Sequence, residues 1–261
     1  MNLLRTAVPF GALLLIACDA TGPGMARPVT LSVALKQSGT PPAGLAADVT
    51  VGSGPNSIRI TKVEFVLAET ELAQVATCST PAVDDDGCDE LELNPLLIDL
   101  PLDASPPVQV LDALVPPGAY TRLEAKLHAV EPGDEEGESG GASFMTAHPD
   151  WPAGVSVRVT GVFTDAAGAT HAFTFTSGIR AEIEVAFASP VTVDATTHNI
   201  TITVDVARWF TDAAGAAIDP TNAANAEAIG ANIRSSFQAF EDNDHDAVDD
   251  EHEGPDGSPE P

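Results

Sequence analysis

The chain has 261 residues, 44 % of them hydrophobic and 5 % aromatic, enough apolar material for one or two buried cores. Lys and Arg number 11 against 39 acids, a formal charge of −28 at pH 7, which excludes nucleic acid as an electrostatic partner and disfavours an anionic membrane surface. The acids concentrate in Asp84–Glu92, in Glu131–Glu138 and from Glu241 to the end, and the rest is only mildly acidic.

The first element is an export signal. In "MNLLRTAVPFGALLLIACDATGPG", Arg5 precedes an apolar run from Ala7 to Ile16, well short of the roughly 20 residues that span a bilayer. Residues 1–17 are therefore expected to be a signal peptide. Leu15-Ile16-Ala17-Cys18 resembles the bacterial lipobox, in which the Cys is acylated and becomes the mature N-terminus. The resemblance implies a lipidated Cys18, a tether over residues 18–27, and a bacterial cell-envelope location on the periplasmic or cell-surface side, with the lipid as the membrane partner. Asp19 resembles the inner-membrane retention signal of enteric bacteria. With Cys18 acylated, two cysteines remain, Cys78 and Cys88, enclosing "STPAVDDDG". Outside the cytoplasm such a pair is expected to form a disulfide, and the stretch lacks the further ligands of a zinc site.

"VTLSVAL" places Val29, Leu31, Val33 and Leu35 on one face, the period of a half-buried strand. "SIRITKVEFVLAE" predicts a second strand whose phase slips between Ile60 and Val63, as a bulge would make it. "LLIDLPL" follows, and "VPPGAYTRLEAKLHAV" enters through a Pro-Pro-Gly turn into Tyr120, Leu123, Ala125 and Leu127, with Arg122, Glu124, Lys126 and His128 on the wet face. Residues 131–150, opening with "EPGDEEGESGGA", show no apolar period and are expected to be a flexible acidic loop. "VSVRVTGVFTDAAGATHAFTF" predicts a hairpin turning at Asp165 to Gly168, followed by "AEIEVAF" and "HNITITVDVARWF". The heptapeptide "FTDAAGA" occurs at Phe163 and again at Phe210, which predicts one turn chemistry used twice.

Residues 28–212 thus predict an antiparallel β-sandwich. The period then changes. "DPTNAANAEAIGANIRSSFQAF" puts Ile229, Ile233, Phe237 and Phe240 on one helical face, with Thr221 or Asn222 as cap and Gly230 a weak point, so residues 213–241 are expected to hold a C-terminal helix. "VEFVLAETEL", "LLIDLPL", "VPPGAYTRLEAKLH", "TVDVARWF" and "NIRSSFQAFEDNDHD" together resemble an uncharacterised family of bacterial envelope lipoproteins and secreted proteins with transthyretin-like β-sandwich segments. The resemblance implies a fold and a location, and no activity.

Residues 242–261 form an acidic tail that opens as a calcium-type loop. Calcium takes about six to eight oxygens, and alternate residues of a tight loop turn their carboxylates to one centre. Asp242, Asp244 and Asp246 have that D-x-D-x-D spacing, with Asp250 and Glu253 following. The stretch resembles EF-hand and thrombospondin type-3 loops, with Ala247 in place of the Gly of the sharp turn and Val248 one place early for the apolar EF-hand position. The candidate calcium set is Asp242, Asp244, Asp246, Val248, Asp250 and Glu253.

Other constellations are weaker. "GESGG" at Gly137–Gly141 looks like a nucleophile sequence, but it lies in the acidic loop, without a rigid frame for a base or an oxyanion hole. The six histidines are scattered, and Asp205 with Trp209 reads as the polar face of a strand beside one aromatic. The sequence thus favours a lipid-anchored, non-catalytic binding or structural module. A secreted hydrolase with a non-sequential site and a periplasmic copper or zinc carrier are the alternatives.

Overall fold

The structure, a computed structural model, describes residues 26–36, 48–52, 54–74, 94–103, 106–130, 141–194 and 199–250. These form two β-sheets packed face to face. The first sheet has strand order β11-β10-β1-β5, built from β1 (Arg27–Leu35), β5 (Val108–Val115), β10 (Asn199–Val204) and β11 (Phe237–Glu241). The second runs β8-β7-β3-β6-β9, comprising β3 (Ser57–Gln74), β6 (Gly118–Leu127), β7 (Val157–Thr164), β8 (Thr170–Ser177) and β9 (Ala181–Val193). Two short strands, β2 (Val49–Val51) and β4 (Leu96–Asp99), also pair with β3. The β-sandwich expected from the alternating runs is the observed fold. One pair departs from the antiparallel expectation: β1 and β10 run parallel, from Thr30↔Asn199 to Leu35↔Val204. They lie far apart in the chain, so no hairpin ties their directions.

Alternation decides which side chains meet. Along β7 buried and half-buried residues alternate without a break, so Val157, Val159 and Phe163 face the core. The phase slip read in β3 is a bulge, with the β3–β7 register shifting between Ile60 and Lys62. The core lies between the sheets, where Phe65 of β3 meets Phe237 of β11 edge to face, ring centroids 5.6 Å apart. A short helix, α2 (Val206–Trp209), closes one end of the sandwich with the fully buried Trp209, and the next residue, Phe210, packs against Phe173 and Phe175 of β8.

The repeated heptapeptide is one turn built twice. Asp165 Oδ1 accepts hydrogen bonds from the Ala167 and Ala169 amides, each at 2.9 Å, and Asp212 Oδ1 accepts from Ala214 and Ala216 at the same distances. Gly168 (φ 83°) and Gly215 (φ 78°) supply the left-handed residue in each copy.

Three expectations need correction. Residues 131–140 lie outside the described residues, but 141–147 form a helix, α1, rather than continuing an acidic loop. Its Phe144 joins Val66, Val130 and Trp151 in a small second core, which gives this segment the apolar burial that its Gly-rich start conceals. The C-terminal helix is also shorter than residues 213–241. A single 3₁₀ turn over Ala223–Asn225, capped by the Asn222 side chain, leads into α3 (Ala226–Arg234). Ile229 and Ile233 are buried on its inner face as expected, whereas Phe237 belongs to β11 and reaches the core by strand alternation. Finally, β10 ends at Val204, and Asp205 does not stand on a strand face with Trp209. Its carboxylate caps α2 by accepting from the Arg208 amide at 3.1 Å.

Candidate metal centre

The β11 strand ends where the acidic tail begins. Asp242, the next residue, is fully buried. Its amide donates to the Asn199 carbonyl at 3.2 Å, prolonging the β10–β11 ladder by one bond. The Asp242 side chain therefore lies over the start of β10, where its Oδ2 accepts from the Thr201 hydroxyl at 2.6 Å. The same carboxylate folds the turn that follows: Oδ1 accepts from the Asp246 amide at 3.0 Å and Oδ2 from the Ala247 amide at 3.2 Å. A carboxylate has about four acceptor positions. Three are used here, and one on Oδ1 is left.

Buried polar residues continue beneath the turn. Asn199 donates its side-chain amide to Thr201 Oγ1 at 2.8 Å and to the Asp242 carbonyl at 2.8 Å, and its Oδ1 accepts from Ser32 at 2.7 Å and Thr30 at 2.6 Å. Thr30, Ser32, Asn199 and Thr201 thus form a hydrogen-bonded row from β1 across β10 to the base of the acidic turn. A fully satisfied buried network fixes geometry, because any rearrangement orphans a polar group.

Three carboxylates converge on this base. Asp242, Asp244 and Asp250 each offer an oxygen, and these atoms all lie within 4.8 Å of one another. That spacing lets all three reach one ion with oxygen contacts of about 2.3–2.6 Å, and an all-carboxylate donor set suits a hard cation. Burial pushes the Asp250 carboxyl above the usual carboxylate range, the charges of Asp244 and Asp242 push it the same way, and hydrogen bonding to Asn243 only partly opposes them. A cation would remove that strain. The residues present fit a hard metal ion, with Asp242 buried, Asp250 half-buried and Asp244 exposed at the mouth.

The other expected ligands divide. Asp246 stands outside the three-residue group, and its Oδ1 accepts from the Val248 amide at 2.7 Å, so it shapes the turn. Glu253 lies outside the described residues, as do Cys18, Cys78, Cys88 and the "GESGG" serine, Ser139. The place where Gly was missed shows in the backbone: Ala247 has φ 67° and His245 φ 61°, both left-handed. Such a conformation costs a residue bearing a Cβ about 1–2 kcal/mol, partly offset by glycine's greater freedom when unfolded. Ala247→Gly should accordingly stabilise the turn by about 0.5–1 kcal/mol, read as a higher urea midpoint. An unchanged or lower midpoint would refute this.

No histidine among the described residues enters this group. His171 faces Asp165 at 3.3 Å at the β7–β8 hairpin, and the His148 ring lies tilted against Phe144 with centroids 4.7 Å apart. Among the described residues, the metal-capable group that forms is made of carboxylates alone. Sequence reasoning missed Thr201 and Asn199, the residues on which Asp242 rests. Their signal was a strand, "NITITV", with polar residues at alternate positions; that both of its faces are buried is seen only in the structure.

The fold and site define a two-sheet β-sandwich with a carboxylate turn at the end of its last described strand. No family model matches the chain, and no curated protein matches it. Among solved structures, MbnP from Methylosinus trichosporium aligns with 15 % identity and a TM-score of 0.40, covering 76 % of this chain and 82 % of that one. A likeness of that degree carries no argument about ligand or role.

Proposed function

We propose that the protein is a lipid-anchored component of the bacterial cell envelope that works by binding or as a structural surface module, without catalysis, and that calcium locks its C-terminal turn. The observation that carries the calcium reading is the meeting of Asp242, Asp244 and Asp250 over a buried hydrogen-bonded base. A hard, oxygen-seeking cation at extracellular concentration is the ion that such a donor set and compartment favour. With three carboxylates from one turn and an alanine in a left-handed position, the expected dissociation constant is about 0.01–1 mM, the range of sensors and extracellular modules. Export and anchoring rest on Leu15-Ile16-Ala17-Cys18 and on the resemblance to envelope lipoproteins, and the Cys78–Cys88 disulfide follows from the same compartment. No helix among the described residues is long and apolar enough to cross a membrane.

Native mass spectrometry of the protein purified from its own envelope tests this reading in one experiment. The expected mass is that of a chain starting at Cys18, carrying lipid, lacking the two thiol hydrogens of Cys78 and Cys88, and retaining one calcium. A mature N-terminus beyond Cys18, or an unmodified Cys18, would overturn the anchor. Cys18→Ser should abolish the lipid mass and release the protein or leave it unprocessed.

A further inference from the structure

We infer that the end of the four-stranded sheet where β1 begins and β5 finishes rests on a bilayer surface of low net charge, with Leu114 entering the interface. This rests on the lipid-anchor reading above. Leu114 is 66 % exposed, the most open large apolar side chain among the described residues, and it lies on β5, the edge strand of the sheet. Its partner in the ladder is Pro28, and the neighbouring pair is Arg27↔Val115. The exposed leucine therefore sits beside the first residues of β1, the point where the chain arrives from Cys18.

The intervening chain is short. Eight residues separate Cys18 from Arg27, a reach of at most about 30 Å, so an acyl chain in the membrane holds this end of the sandwich near the headgroups. The remaining groups at this end set the lipid chemistry. Arg27 brings one positive charge to the head of β1, with its Nε buried against the protein. Asp242, Asp244 and Asp250 are close by, because Thr30 pairs with Asn199 and Asn199 bonds Asp242. The chain's formal charge of −28 repels an anionic surface even with one calcium bound, so a zwitterionic one fits best. Val108, the other exposed large apolar residue, pairs with Val33, six positions along β1 from Arg27, and should stay in water.

The test uses the full lipidated protein in vesicles of phosphatidylethanolamine and phosphatidylcholine. A benzophenone amino acid is placed at Leu114 in one sample and at Val108 in another; both positions are exposed, and unchanged thermal melts confirm folding. On irradiation, position 114 should give several-fold more phospholipid adduct than position 108, and anionic phosphatidylglycerol in the vesicles should lower the yield. Equal yields, or more adduct at 108, with lipid on Cys18 confirmed by mass, would overturn this docking face alone. If Cys18 carries no lipid, the anchor reading falls and the docking face falls with it.

Discussion

Replacing Trp209 by alanine should lower the unfolding free energy by about 3–5 kcal/mol, the range for deleting a buried aromatic side chain. Trp209 has no exposed surface and packs on Phe237 with ring centroids 6.3 Å apart. It also ties the end of the sandwich together: its indole N–H donates to Ser236 Oγ at 2.6 Å, and that hydroxyl donates to the Ile233 carbonyl at 2.7 Å, holding the end of α3 against the start of β11. The Trp209 carbonyl accepts from Asn232 at 3.2 Å. Trp209→Ala therefore leaves a cavity and strips a buried hydroxyl of its donor. Urea unfolding monitored by far-ultraviolet circular dichroism measures the loss; a change under about 1 kcal/mol would mean that α2 does not close the core.

The second large effect is expected at the ion pair on the other face of the seven-stranded sheet. Arg158 grips Glu64 with two hydrogen bonds, Nε to Oε2 at 2.7 Å and Nη2 to Oε1 at 2.9 Å, while Lys62 adds a third at 2.8 Å. The guanidinium also lies 4.6 Å above the Trp151 ring. Burial pushes the Glu64 carboxyl up, but the hydrogen bonds and charges of Arg158 and Lys62 outweigh it and hold the group below the usual glutamate range. Arg158→Ala leaves Glu64, whose side chain is 7 % exposed, with Lys62 as its remaining cation. The expected cost is about 2–3 kcal/mol at pH 7, below the 3–5 kcal/mol of a fully buried pair because Arg158 is itself partly hydrated.

The pH dependence has a definite sign. A carboxyl whose pKa is lower folded than unfolded adds stability above its unfolded value and loses it as pH falls through the folded one. The wild-type protein should shed this increment below about pH 4.5, the ordinary value for glutamate. Arg158→Ala should shed less, so the two stability curves converge in acid. Parallel curves would show that the pair does not hold the Glu64 pKa down.

Much of the fold was legible because period-2 alternation is a local property that burial on one face enforces. β7 and the first half of β3, bulge included, follow from their own residues. Ile229 and Ile233 were equally readable. Phe237 was not, since a helix and a strand can each bury such a residue in a short apolar run, and only the β10 edge, 33 residues upstream, makes it a strand. The parallel β1–β10 pairing and the burial of Phe144 are likewise long-range facts. At the site, alternate acids pointed to Asp242, Asp244 and Asp250. Asp246 has the right spacing as well, but it turns to the nearest backbone amide, a competition that short acidic side chains often lose to their own turn.

Titration calorimetry with calcium, on the intact protein and on Asp244→Ala/Asp250→Ala, tests the metal centre most directly. Asp242 is left in place because it also holds the Asp246 and Ala247 amides and the Thr201 hydroxyl. The intact protein should bind one calcium saturably with a dissociation constant of about 0.01–1 mM, magnesium should bind more weakly, and the double variant should show no saturable heat. Equal, salt-sensitive heats for both proteins, with magnesium as effective as calcium, would contradict the site and leave the tail a solvated run of acids.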